Sequence, residues 1–308
     1  GGVDLSVSSF LLSGSTQELV FIDGDLLSEL IWPMETVPGF GLEAGRALGG
    51  GYRISVSLDA AVPVDSGSME DSDFMNIPEN NDKTHYSRHD ARLEHLVDIG
   101  IALSRELHTD IQGPGTRRRL TLSPGLGVRI RSCAWSASDG YTQYSLVGGT
   151  GEYEGWEKNL PKDYLSGKVI TYRQDYLLAF ASLAANLPIG SAWAVSAEVK
   201  ASPFIACTAK DQHLLTGFTF RDGMSGGLFF EPTLTISRQS GAGDGTEAGH
   251  RFFLAGSWTR FAGLRGDTTT RTLGGELVGR DEDSCGTESG VFSVRAGYTL
   301  ILGAKKAD

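Results

Sequence analysis

An all-β chain built from antiparallel strands is the fold class this sequence predicts, on three observations. Apolar and polar residues alternate with a period of two in run after run, and no long helical pattern interrupts them. The 41 glycines among 308 residues are about twice the usual share of about 7%, as turn-rich barrels and sandwiches require. The runs number ten, with five longer polar loops on one side and mostly short turns on the other. A soluble sandwich hides its apolar face, whereas a membrane barrel turns that face to lipid. The alternation fits both, and the even count with the loop asymmetry favours the barrel.

In the first run Val3, Leu5, Val7 and Leu11 alternate with Asp4, Ser6 and Ser8, and the run continues past Glu18 to a turn at Asp23-Gly24. A second spans Ser28 to about Ala47 and closes at Gly49-Gly50-Gly51. The third is the cleanest: Tyr52, Ile54, Val56, Leu58 and Ala60 oppose Arg53, Ser55, Ser57 and Asp59. Periodicity then fails from Pro63 to Ser87, which reads as a long loop carrying Asp71 and Asp73; such loops inside compact domains are usually functional. Runs over Ala91–Leu103 and Leu120–Arg131 follow, joined through Gly113-Pro-Gly115, before a second polar loop from about Ser138 to Lys168.

Tyr176 to Ala197 is an uncharged run of 22 residues, long enough for a membrane helix. Asn186-Leu-Pro-Ile-Gly190 in its middle instead predicts two strands, Ile170–Ala185 and Ala192–Ala209, joined by a tight turn. The second leads to Asp211-Gln-His213, and a loop is expected at Arg221-Asp-Gly223. Strands near Gly226–Ser237 and His250–Leu264 flank the acidic Ser240–Gly249, and a last loop, Gly266–Cys285, precedes a closing strand through Leu300.

A net charge of −11 argues against a nucleic-acid partner, which needs a basic footprint. Cys133, Cys207 and Cys285 are far apart and lack a CxxC, so a zinc site or a dense disulfide framework is not expected. The numbering opens at Gly1 without Met, and any signal peptide is expected to precede it.

Two short patterns carry chemistry. Asp71-Ser-Asp73 and Asp211-Gln-His213 each hold polar residues at i, i+2, which in extended chain lie on one face. If the two segments converge, they can hold and activate a water molecule. Each alone is ordinary: a solvated turn in the first case, a surface pair in the second. Ser87 and His89 read as structural hydrogen bonders, with no acyl-enzyme constellation beside them.

Several segments, in order, resemble the omptins, a family of ten-stranded outer-membrane endopeptidases of Gram-negative bacteria. They are Leu12-Ser-Gly14 with Glu18; Met69-x-Asp71-x-Asp73 followed by Ser87-Arg88-His89; Tyr172-Arg-Gln174; Asp211-x-His213; Gly256-Ser-Trp258-Thr-Arg260; and Ala296-Gly-Tyr-Thr299. The resemblance implies one domain over 1–308, a ten-stranded antiparallel transmembrane β-barrel with long extracellular loops and a short tail at 303–308. It implies an outer-membrane protein whose active site faces the cell exterior, working as a monomer on cationic peptides or proteins, with no metal or cofactor.

By the same resemblance His213 is the general base, oriented by Asp211, and Asp71 and Asp73 position the water across a groove. Glu18 binds a cationic side chain; Met69 and Ile170 line the groove; Ser87, Arg88 and His89 support the site. Two departures modify these expectations. A second acidic residue expected two positions before Asp211 is Ala209, leaving basic preference to Glu18. Asp175 stands where the family's arginine meets lipopolysaccharide phosphate; a carboxylate there repels phosphate, so the lipid requirement is either lost or met by another lipid. These departures define the alternative, a binding barrel or adhesin with little protease activity. A conducting pore is a second alternative, opposed by Arg53, Asp59, Arg129 and Arg131, which are expected to plug the lumen as ion pairs.

Overall fold

Extended chain dominates because β-branched, aromatic and small residues recur without helical spacing, and the strands run far longer than the apolar alternation alone marks. The computed structural model describes residues 2–78, 81–113, 116–240 and 248–302. The strands are β1 (Val3–Ile22), β2 (Asp25–Gly49), β3 (Tyr52–Ala61), β4 (Val64–Asp73), β5 (His85–Arg105), β6 (Leu107–Gly113) and β7 (Thr116–Tyr144). They continue with β8 (Asp163–Tyr164), β9 (Lys168–Ile189), β10 (Trp193–Ser202), β11 (Ile205–His213), β12 (Phe218–Ser225), β13 (Leu228–Ser240), β14 (Ala248–Thr272) and β15 (Leu277–Leu302). All form one antiparallel sheet, closed by the pairing of β1 with β15 and of β7 with β9.

Where the sequence suggests ten strands, the described residues form fifteen segments, and the breaks have local causes. Val62-Pro63 separates β3 from β4, and Pro203-Phe204 separates β10 from β11; proline cannot donate to a ladder. Gly226 and Gly227, at φ 83° and 72°, separate β12 from β13. A Cβ on Gly227 would lie 2.4 Å from the Ala262 carbonyl oxygen, so the kink needs glycine.

Three expected loops are strand. Asp71 and Asp73 lie on β4, paired with β2 and β5. Arg221-Asp-Gly223 lies on β12. Most of Gly266–Cys285 belongs to β14 and β15, with only residues 273–276 turning between them. Apolar alternation had faded there because these strands rise above the lipid-facing band, while backbone pairing continues. The longer connections on the site side follow β4 and β7, the latter running over 145–162 before β8. The hairpin turn within Tyr176–Ala197 falls at Gly190, with β9 running on to Ile189. The connection at 114–115, the centre of Ser240–Gly249 and the tail lie outside the described residues.

The barrel changes solvent along its length. Leu5, Val7, Leu42, Val56, Ile101, Val128, Leu234, Leu254 and Val294 are all exposed on its outer face, the band a membrane barrel turns to lipid. Tyr52 and Trp193 expose their rings toward one end of this band, Phe204 and Phe292 toward the other. Inside the band, Arg129 and Arg131 donate to Asp98, Arg129 and Thr259 donate to Glu231, and Arg295 donates to Asp59. Arg53 pairs with Asp4. Each of the four residues expected to plug the lumen is thus ion-paired.

Above the band the inside becomes apolar, and β-bulges make the switch. On β2, Leu30, Trp32 and Met34 face inward; after Thr36, at φ 54°, the inward residues are Val37, Gly39 and Gly41. On β5 the same inversion follows the irregularity between Leu93 and His95, so Ile99 faces out and Asp98 in. One added residue reverses every later side chain. The core of Trp32, Leu93, Trp135, Tyr172, Phe229 and Phe261 fills the upper barrel.

Candidate active site

Trp32, Trp135 and Tyr172 form a fully buried aromatic cluster in the upper barrel. Trp32 stacks on Tyr172 at 5.4 Å between centroids, and Trp135 lies 6.2 Å from Trp32. Beneath them Gln174, fully buried, donates to Tyr172 Oη and Thr287 Oγ1, each at 2.7 Å, and accepts from Tyr176 Oη. This satisfied network ties β9 to β15 across the interior, which limits how far the walls can move.

Strand register then sets the reactive groups on the inner face. Asp211 pairs with Tyr172 of β9 and His213 with Ile170, so both point inward above the aromatic cluster. Asp211 Oδ2 lies 2.5 Å from His213 Nε2. Asp211 is 2% exposed, and its Oδ1 has no hydrogen-bond partner. Burial pulls the His213 imidazolium down, but the hydrogen bond and charge of Asp211, then Asp71 and Asp73, carry it above its ordinary value.

On the neighbouring wall, Leu30 and Ser28 of β2 pair with Asp71 and Asp73 of β4. Ser28 Oγ donates to Asp71 Oδ1 at 3.0 Å and also stabilises the Asp73 carboxylate. Burial first, and then the Asp73 charge, push Asp71 up to about 7. Burial raises Asp73 as well. The charges of Asp71 and His213 act on each other, so the Asp-x-Asp and Asp-x-His segments lie within electrostatic reach of one another.

The other candidates separate by position. Ser87 is buried opposite Asp71, with a long 3.5 Å contact to Asp71 Oδ2. Arg88 points outward and donates to Ser68 Oγ. His89 is buried opposite Met69, its Nδ1 2.5 Å from the Asp139 carbonyl oxygen. Met69 and Ile170 belong to the core, Met69 fully enclosed. Glu18 is 5% exposed and accepts a hydrogen bond from Trp32 Nε1 at 3.3 Å. Burial, then Asp211 and Asp222, hold Glu18 well above the usual carboxylate range.

Sequence reasoning missed Ser28, Trp32 and Asp222. Asp222 sits on β12 opposite Ala209, accepts from Thr268 Oγ1 at 2.8 Å, and is pushed up to about 6, chiefly by burial. A signal was available: with a turn at 214–217, counting back from Asp211-x-His213 across the hairpin brings Asp222 opposite Ala209.

A closed antiparallel barrel with a lipid-facing apolar girdle defines the class as a membrane β-barrel. The chain belongs to the omptin family, whose profile matches residues 1–302. It is 23% identical over 300 residues to the plasminogen activator of Yersinia pestis, covering 95% of this chain and 87% of that one. Its fold matches the crystal structure of the outer-membrane protease OmpT from Escherichia coli with a TM-score of 0.83, at 18% identity, over 98% of this chain and 97% of that one. The protein is therefore a Gram-negative outer-membrane protein of a protease family.

Proposed function

We propose that this protein is an endopeptidase that attacks the scissile carbonyl directly with a water held between Asp71/Asp73 and the His213–Asp211 pair. The observation that carries this reading is the inward-facing 2.5 Å His213–Asp211 pair opposite two half-buried aspartates whose charges reach it. With Nε2 bound to Asp211, Nδ1 of His213 is the ring nitrogen left to take a proton. The water oxygen bonds to the carbonyl carbon as its proton passes to His213. The carbonyl becomes an oxyanion, and Asp211 stabilises the imidazolium. Collapse of the intermediate breaks the C–N bond, and the proton on His213 goes to the leaving amine. Asp71 and Asp73, of which one retains a proton near neutral pH, orient the water.

Glu18 recommends a cationic side chain on the substrate, and the rim carrying the site is the one that faces the cell exterior. The reaction runs in a monomer, on side chains alone. Asp175 accepts from Arg173 through Nε and Nη2, so this arginine is engaged and offers less to a lipid phosphate. A lipopolysaccharide requirement, if kept, falls to other groups. Arg173 and Arg221 both stand opposite Lys210 in the ladder, on the outward face.

The test is cleavage of quenched fluorescent peptides carrying Arg or Lys, by the refolded barrel in detergent, with and without lipopolysaccharide. His213→Ala and Asp71→Ala should each abolish cleavage. A well-folded wild-type barrel that cuts nothing under either condition moves the reading to a binding barrel.

A further inference from the structure

At the end of the lipid-facing band away from the Asp211–His213 pair, one sector of the rim is extended. Ser104 of β5 stands opposite Gly125, yet β7 begins at Thr116, and β6 pairs with this added length as a hairpin. The register of β7 with β9, in which Thr121 stands opposite Asn186, brings Arg118 to the level of Ile189. Ile189 pairs with Trp193 of β10, and Trp193 with Arg238 of β13. All four lie on the outward face, because Val128, Leu183, Val199 and Leu234 stand an even number of residues away on the same strands and are exposed. Four neighbouring strands thus carry arginine, isoleucine, tryptophan and arginine in one row, about 14 Å long at the usual strand spacing.

The apolar members of the row are exposed, as is Ile111 opposite Arg118. The Arg238 guanidinium lies 5.8 Å from the centroid of the Trp193 ring. Farther round the same rim Arg105 repeats the arrangement, 5.3 Å from the Tyr52 ring. Among the described residues no carboxylate pairs with Arg105, Arg118 or Arg238. Four arginines toward the site end, Arg92, Arg173, Arg260 and Arg265, are each tied to one. In a chain of net charge −11, cations left unmatched at one level of the barrel need a partner from outside it.

A guanidinium beside an interfacial aromatic ring sits where acyl chains give way to headgroups. The anion found at that depth is a phosphodiester, which the planar fork of arginine binds through two N–H groups. We propose that the outer face of β7, β9, β10 and β13 at this end binds anionic glycerophospholipid of the leaflet opposite the Asp211–His213 pair. Arg118 and Arg238 hold the phosphodiester groups, and acyl chains cover Ile189 and Trp193. A soluble acidic partner would satisfy the arginines but leave that apolar surface, continuous with the lipid-facing band, without cover. The surface is independent of the peptidase reading, and its test involves no cleavage.

Trp193 reports on the surface directly. The refolded full-length barrel is placed in phosphatidylcholine vesicles containing either brominated phosphatidylglycerol or brominated phosphatidylcholine, and quenching of tryptophan fluorescence gives their relative binding constant. Trp32 and Trp135 are enclosed, and Trp156 lies on the connection after β7. A Trp258→Phe background removes the tryptophan stacked on exposed Phe292. At low salt phosphatidylglycerol should be preferred about 25-fold, about fivefold for each arginine beside an anionic layer. Arg118→Gln and Arg238→Gln should each lower the preference about fivefold, and together bring it to about one. Arg238→Lys should keep most of it, which separates loss of charge from damage to the rim. Raising the salt to about 0.5 M should collapse the wild-type preference. A wild-type preference near one at low salt, or a preference unchanged in the double variant, overturns the proposal.

Discussion

Replacing Asp211 with asparagine tests whether the 2.5 Å contact to His213 sets the base. The amide keeps the shape but removes the charge. Unit charges about 4 Å apart at an effective dielectric of about 20 interact by about 4 kcal/mol, a ceiling of about 3 pH units on the imidazole. His213 is 31% exposed, so solvent screens part of this, and the expected fall is about 1–2 units. Burial, which already lowers the imidazolium, is then less opposed. The sign follows: the base works deprotonated, so a lower His213 value moves the rising limb of kcat/KM to lower pH by about 1–2 units. The plateau should drop roughly 10²–10⁴-fold, since the imidazolium formed in the transition state loses its counter-charge. The Asp71 limb should move less, because burial, Asp73 and Ser28 all weigh more on Asp71 than Asp211 does. A pH profile with a stationary rising limb, or one displaced to higher pH, would refute the assignment of His213 and Asp211.

Three further expectations have definite signs. Asp73→Asn removes the second cause, after burial, that holds Asp71 near 7, so the falling limb of the profile should move to lower pH by about one unit. Ser28→Ala removes the hydrogen bond that favours ionised Asp71, so the same limb should move the other way; matching shifts in both variants would contradict the Asp71 assignment. Asp98→Ala leaves Arg129 and Arg131 without their shared carboxylate at positions only 12% and 11% exposed. It should cost about 3–5 kcal/mol, read as a lower midpoint for the shift between folded and unfolded bands in a detergent gel.

Much of the fold was legible because lipid enforces a strict outer pattern: Leu5, Val7, Val56 and Ile101 alternate cleanly where the barrel crosses the band. Above it, neither face has to be uniformly apolar, so Met69 to Asp73 and Phe218 to Ser225 lost their period while remaining strand. Bulges at Thr36 and near His95 reverse the facing, and a bulge is invisible to a strict two-residue template. The Asp71, Asp73, Asp211 and His213 quartet was legible only through spacing and resemblance, since each pair alone suits a surface turn. Asp222 stayed hidden because its pairing with Ala209 depends on register. Ser28 stayed hidden because a serine at the end of a strand carries no mark of the carboxylates it will bind.

The most direct test of the central claim, attack by water rather than by a side chain, is product partitioning with a competing amine. Cleavage is run to a few turnovers in the presence of a concentrated amine acceptor, and the carboxyl-side fragment is analysed by mass. Direct water attack predicts only the free acid, with Ser87→Ala still cutting, since Ser87 makes no more than a 3.5 Å contact to Asp71. An amide of the added amine would reveal an acyl-enzyme, and the account of the site would be wrong.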